Sequence, residues 1–109
     1  MSPASYQNLP VQQLSTLGPE VRRIDVREPA EFTGPLGHLP GSELVPLATL
    51  EAAAAPWPRD QPLLLICRSG VRSVTAAHQL AALGFTRLYN LAGGMLAVGE
   101  AQLPVEGRS

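Results

Sequence analysis

The segment Cys67-Arg68-Ser69-Gly70-Val71-Arg72-Ser73 opens on the only cysteine of the chain, followed by two arginines and two serines. A thiolate is the nucleophilic form of cysteine, and nearby cations or converging N–H groups lower the thiol pKa toward it. Gly70 permits a positive φ in a short loop, so successive N–H groups can turn inward into an anion-binding nest. Cys67 is therefore the expected nucleophile. Arg68, Ser69, Gly70, Val71, Arg72 and Ser73 are the expected substrate-binding residues around it. Several of them have a simpler reading. Arg68 can be a solvated surface residue, Arg72 can pair with a carboxylate and prop the loop, Ser69 can favour the turn, and Ser73 can be a helix N-cap.

Such a loop needs elements on either side of it. Leu63-Leu64-Leu65-Ile66 is an unbroken apolar run that ends directly at Cys67, as suits a central parallel strand covered on both faces. After the loop, Ala76, Leu80 and Leu83 recur at helical spacing over 73–83. Gly84 stands in the C′ place, and Phe85 can fold back on the last turn. The unpaired N–H groups and the positive end of the dipole of that helix would face Cys67. Further strands are expected at 22–26, 44–45 and 87–91, and helices at 10–17, 47–55 and 94–101. This alternation predicts an α/β domain with an open, mostly parallel sheet and helices on both faces. Ligands bind beyond the carboxyl ends of such strands, which is where Cys67 falls. Asp25 ends a strand on the same edge, and pairing with a loop arginine is its expected supporting role. Arg27 is a second supporting residue and a candidate ligand for a donor anion.

CRSGVR resembles the six-residue active-site loop of the rhodaneses. Ile24-Asp25-Val26-Arg27-Glu28 with Glu31-Phe32 resembles the first conserved block of that family, and Gly37-His38-Leu39-Pro40-Gly41-Ser42 resembles the second. Leu91-Ala92-Gly93-Gly94-Met95, followed by Leu103-Pro104-Val105, resembles its C-terminal block. The blocks occur in the family's order across most of the chain, which implies a single rhodanese-like domain over 1–109. Three features depart from the pattern. Thr33-Gly34-Pro35-Leu36 lengthens one connection, Val98 stands where many members carry tryptophan, and Ala101-Gln102 replaces a common Ala-Gly.

The resemblance implies a sulfurtransferase that holds sulfur on Cys67 as a persulfide. A small-molecule donor such as thiosulfate or a persulfide would supply it, and cyanide, a thiol or a protein would accept it. No metal or organic cofactor is expected. Non-catalytic rhodanese-like interaction modules usually lack the cysteine. Phosphatases and arsenate reductases with a similar cradle place a histidine before the cysteine and an arginine after five intervening residues. Here Ile66 precedes Cys67, and four residues separate it from Arg72, so the shorter loop favours sulfur over a phosphoryl group.

Composition bounds the rest. The 109 residues are 45% apolar and 16% charged, in the globular range, with a net charge of −1. All eight basic residues are arginine. That balance speaks against nucleic acid as a partner. A single cysteine excludes an intramolecular disulfide and a multi-thiolate metal site, and His38 and His78 lie too far apart in sequence to suggest zinc. No stretch reaches the roughly 20 apolar residues of a membrane span. The segment from Met1 to Pro10 shows no basic run followed by an apolar core, so a cytoplasmic location is expected.

Overall fold

The computed structural model describes residues 5–109; the first four residues of the expected domain lie outside the described residues. Five strands, all parallel, form one sheet among the described residues: β1 (Gln7–Leu9), β2 (Arg22–Asp25), β3 (Ser42–Leu44), β4 (Leu63–Ile66) and β5 (Leu88–Leu91). Their order is β1-β5-β4-β2-β3. The chain builds outward from β2 to β3, crosses back to β4 on the other side of β2, and continues outward to β5. The order thus reverses between β2 and β4, and their carboxyl ends frame the crevice where open α/β sheets bind ligands. Asp25 is paired with Ile66 in register, and the Val26 N–H donates to the Ile66 carbonyl at 2.9 Å, so Cys67 emerges beside Val26.

The apolar run 63–66 is buried throughout because it feeds two cores at once. Leu63 and Leu65 face α2 (Leu50–Ala54) and α3 (Arg72–Ala82), packing with Ile24, Leu50, Ala76, Leu80 and Phe85. Leu64 and Ile66 point the other way, into Leu9, Val11, Leu39, Leu91, Met95 and Val98, which covers the face carrying α4 (Gly94–Glu100). The period-2 alternation of strand side chains splits one run between both layers. Each such side chain, fully buried, stabilises the fold by about 1.5–3 kcal/mol.

The elements agree with the sequence expectation in kind and differ in detail. The expected helix at 10–17 is a 3₁₀ segment, Val11–Thr16. The expected helix at 47–55 begins as a 3₁₀ turn, Leu47–Thr49, before α2. The strand expected at 44–45 lies at Ser42–Leu44. One turn of helix, α1 (Pro29–Phe32), opens with a reciprocal capping box between Glu28 and Glu31, with Pro29 in its first turn. β1 is the strand not anticipated. At the far end of α3, the Gly84 N–H donates to the Ala81 carbonyl and the Phe85 N–H to the Leu80 carbonyl, which closes the helix as expected.

Candidate active site

Cys67 leaves β4 at the reversal point and sits under its own loop, 1% exposed. Three kinds of contact converge on its sulfur. The Gly70 N–H donates to Sγ at 3.0 Å. The Ser73 hydroxyl lies 3.2 Å from Sγ. The amides of Ser73 and Ser69 also turn toward it. Burial pushes the thiol pKa up, but the Ser73 hydroxyl and the amides of Ser73, Gly70 and Ser69 outweigh burial and hold it below the ordinary value. Gly70 adopts φ +97°, and a Cβ there would come within 3.2 Å of the Gly93 nitrogen, so a side chain at this position would disturb the turn that aims the amide at sulfur.

The loop is held from below by α4. The Met95 N–H donates to the Cys67 carbonyl at 2.9 Å and the Leu96 N–H to the Arg68 carbonyl at 3.0 Å. These are first-turn helix N–H groups, which have no partner within their own helix. Gly94 makes the approach possible. Its φ is +56°, and a Cβ would lie 2.5 Å from the Cys67 carbonyl oxygen and 2.6 Å from Arg68 backbone atoms. The C-terminal sequence block thus acts on the loop directly.

The arginines have different fates. Arg72 pairs with Glu31 through two parallel bonds, Nη1–Oε1 at 2.7 Å and Nη2–Oε2 at 2.8 Å. The Arg72 guanidinium is the chief cause that holds the Glu31 carboxyl down at about 2. Arg72 is therefore a tie between α3 and α1, the simpler of its two readings. Arg68 is exposed and forms no ion pair among the described residues. It borders a cleft of about 250 Å³ with Arg27, Glu31, Pro35 and Leu36. A larger open cleft of about 720 Å³, lined by Val26, Leu47, Glu51 and Gln79 among others, reaches the loop at Arg72. Val71, at the loop tip, is 70% exposed.

Two expectations are corrected. Asp25 pairs with Arg27, not with a loop arginine. The Arg27 Nε and Nη2 donate to its carboxylate at 2.9 and 2.8 Å, and the Arg27 backbone N–H donates to it at 3.1 Å. Residues two apart at a strand end share a side of the sheet, so Arg27 reaches Asp25 before any loop arginine can. Arg27 also donates to the carbonyls of Glu31 and Gly37, at 3.2 and 2.8 Å, and is fully buried. Its donors thus bind the first two sequence blocks together. Ser73 is not an N-cap: α3 begins at Arg72, and the Ser73 side chain lies fully buried against Cys67 and Asn90. Sequence reasoning missed Asn90, whose side chain meets the Ser73 hydroxyl with Oδ1, while its Nδ2 donates to Asn8 Oδ1 at 3.0 Å. The available signal was a lone amide inside the apolar strand Leu88-Tyr89-Asn90-Leu91, because a buried polar group needs a partner.

The rhodanese-like domain model matches residues 11–101. The chain belongs to the rhodanese-like family. It is 45% identical over 71 residues to the uncharacterized protein YqhL of Bacillus subtilis, covering 65% of this chain and 55% of that one. The chain therefore spans little more than half the length of that relative. It is 32% identical over 100 residues to the thiosulfate sulfurtransferase GlpE of Shewanella oneidensis, covering 90% of this chain and 97% of that protein. Among solved structures, a rhodanese-related protein from Thermoplasma volcanium superposes with a TM-score of 0.81 at 27% identity, over 94% of this chain and 99% of that one. In this rhodanese-like chain Val98, at the position where many members carry tryptophan, is fully buried beneath the β4 face.

Proposed function

We propose that the protein is a sulfurtransferase that carries a sulfane sulfur on Cys67 as a persulfide. One observation carries this reading: a buried thiol at the β2–β4 crevice on whose sulfur an amide N–H and a hydroxyl converge at 3.0 and 3.2 Å. Membership of a family that includes a thiosulfate sulfurtransferase supports it. The Cys67 thiolate attacks the outer sulfur of a donor such as thiosulfate. A Cys67–S–S⁻ persulfide forms, the donor's S–S bond breaks, and sulfite leaves with the bonding pair. A thiophilic acceptor such as cyanide or a thiol then attacks the outer sulfur and restores the thiolate. Loop amides stabilise the negative charge at each stage. A thiolate nucleophile requires no general base.

Intact mass of the full chain after incubation with thiosulfate, and then cyanide, tests the cycle. The expected result is a gain of about 32 Da, one sulfur atom, that disappears with cyanide and never forms in Cys67→Ala. Thiocyanate should appear with the loss of mass. Absence of the adduct with thiosulfate and with every persulfide donor tried would overturn the proposal and leave a protein-interaction module in its place. An adduct with persulfide donors alone would keep the Cys67 chemistry and discard thiosulfate as the donor.

A further inference from the structure

The Ser73 hydroxyl has two neighbours and one proton. On one side is Cys67 Sγ at 3.2 Å; on the other is Asn90 Oδ1. With the amide oxygen of Asn90 facing it, Ser73 donates to Asn90, and its oxygen can only accept from a Cys67 S–H. That arrangement suits the protonated thiol. It does not suit a thiolate, because two lone-pair-bearing atoms would then face each other with no hydrogen between them. The lowering that the Ser73 hydroxyl exerts on the thiol therefore needs it to donate to sulfur, and then Asn90 Oδ1 loses its donor inside a buried site.

The amide of asparagine resolves this conflict because its two ends have nearly the same shape and opposite polarity. If it is turned over, its nitrogen donates to Ser73 Oγ, Ser73 donates to the thiolate, and the Asn90 oxygen faces Asn8. The two asparagines are partners in register across the β1–β5 pair, and Asn8 is exposed, so water can serve its far end in either sense. The row Asn8–Asn90–Ser73–Cys67 can therefore run in two directions, each fully hydrogen-bonded.

We propose that Asn90 is a positioning residue for the thiolate: with its amide nitrogen turned to Ser73 it commits the Ser73 hydroxyl to the Cys67 sulfur, and with its oxygen so turned it matches the protonated thiol. Loss of the thiol proton to solvent is coupled to reversal of the row. The edge strand β1 joins the site through Asn8. The charged groups around the thiol do not supply this function, since Arg72 is tied to Glu31, Asp25 is tied to Arg27, and Arg68 lies on the outside of the loop. The inference rests on the reading of Cys67 as a working thiolate. The mass experiment on the wild-type chain tests that reading separately.

The test is the pH profile of Cys67 alkylation by iodoacetamide in the full chain, with thermal melting of each variant. The plateau rate reports access to the buried sulfur and the midpoint reports its protonation. Asn90→Ala removes donor and acceptor together. Each direction of the row loses one hydrogen bond, but the row that ends on the charged sulfur is the stronger of the two, so the midpoint should rise, by up to about one pH unit. Ser73→Ala should raise it similarly, and Ser73→Ala with Asn90→Ala should raise it no further. Asn90→Asp keeps the shape but only accepts, so it should also raise the midpoint, and the rise should be smaller when Ser73 is absent, the remainder being charge repulsion. It also carries the test if the alanine variant does not fold. A midpoint that falls in Asn90→Ala would show that Asn90 serves only as an acceptor competing for the Ser73 proton. A lower melting temperature with no movement of the midpoint would make its role structural. A rise in Asn90→Asp that is just as large without Ser73 would be plain charge repulsion. Each of these three results overturns the proposal.

Discussion

Arg27 and Arg68 carry the same charge a short distance apart, and burial gives them opposite roles. Arg27 and Asp25 are fully buried and bonded to one another, so removing either leaves a lone charge out of water. Asp25→Ala should therefore destabilise the protein by about 3–5 kcal/mol, read from urea or thermal unfolding. A loss below 1 kcal/mol would mean that the pair is solvated. Arg68 is exposed, free of ion pairs among the described residues, and on the rim of a cleft that a small anion can enter. In the proposed transfer from thiosulfate, Arg68→Ala should leave stability unchanged and raise KM about tenfold with little change in kcat, the pattern of a lost binding contact. An unchanged KM would return Arg68 to the solvated surface. The proposed nucleophile was legible because a lone cysteine next to glycine and arginines, directly after an apolar strand, has few other uses. Asn90, and the pairing of Glu31 with Arg72, were not, because each acts on a residue distant in sequence, and only the folded chain brings it there.

At the scale of elements, β4 and α3 were readable because their patterns are long and uniform: four apolar residues in a row, then apolar residues at helical spacing. β1 was not. Gln7 and Asn8 are polar and exposed, and three residues carry too little pattern to mark a strand; β1 exists because β5 offers it a parallel partner. The two ends of α4 show how much one residue can decide. At its start, Gly94→Ala would force a Cβ into the Cys67 and Arg68 backbone at a positive φ. A loss of about 2–5 kcal/mol in unfolding experiments is expected, combining overpacking and left-handed strain, and alkylation of Cys67 should change with it. Retention of wild-type stability would mean that α4 does not brace the loop. At its end, Gln102 stands at φ 57°, the place where the family's common Ala-Gly has glycine. The Gln102 N–H donates to the Gly99 carbonyl and the Leu103 N–H to the Val98 carbonyl, so the closing motif forms despite the side chain. Gln102→Gly should relieve the strain and stabilise by about 0.5–1 kcal/mol after the entropy lost to the more flexible unfolded chain. The melting temperature should rise by a few degrees, and a fall would place the strain elsewhere.

Seen across the whole molecule, the site is a seam. β2 with α1 forms one wall of the crevice and β4 with α3 forms the other, and the walls are joined by main-chain pairing below and by Arg72–Glu31 above. The family blocks were legible as separate strings, but their convergence on this seam depends on the reversal of strand order, which no local pattern encodes. The ion pair makes the seam sensitive to acid in a defined window. The ordinary value of a glutamate carboxyl is 4.5, and beside Arg72 that of Glu31 is about 2 in the folded protein. Between these values the unfolded chain binds a proton at this site that the folded chain does not, so folding loses stability as pH falls. The contribution is complete above about pH 4.5 and gone below about pH 2. Both side chains are about one-third exposed, at 36% and 30%, so solvent screening limits its size to about 1 kcal/mol. Thermal unfolding of the wild type and of Arg72→Gln, followed from neutral pH to pH 2, checks this. The variant should melt a few degrees lower at neutral pH, and the gap should hold down to about pH 5, shrink below it and close near pH 2. Only the side chain at position 72 differs between the two proteins, so the gap reports the loss of its guanidinium. A gap that is absent at neutral pH would show that the pair adds nothing to the seam, and one that survives at pH 2 would show that Arg72 joins the two walls by packing and not by charge.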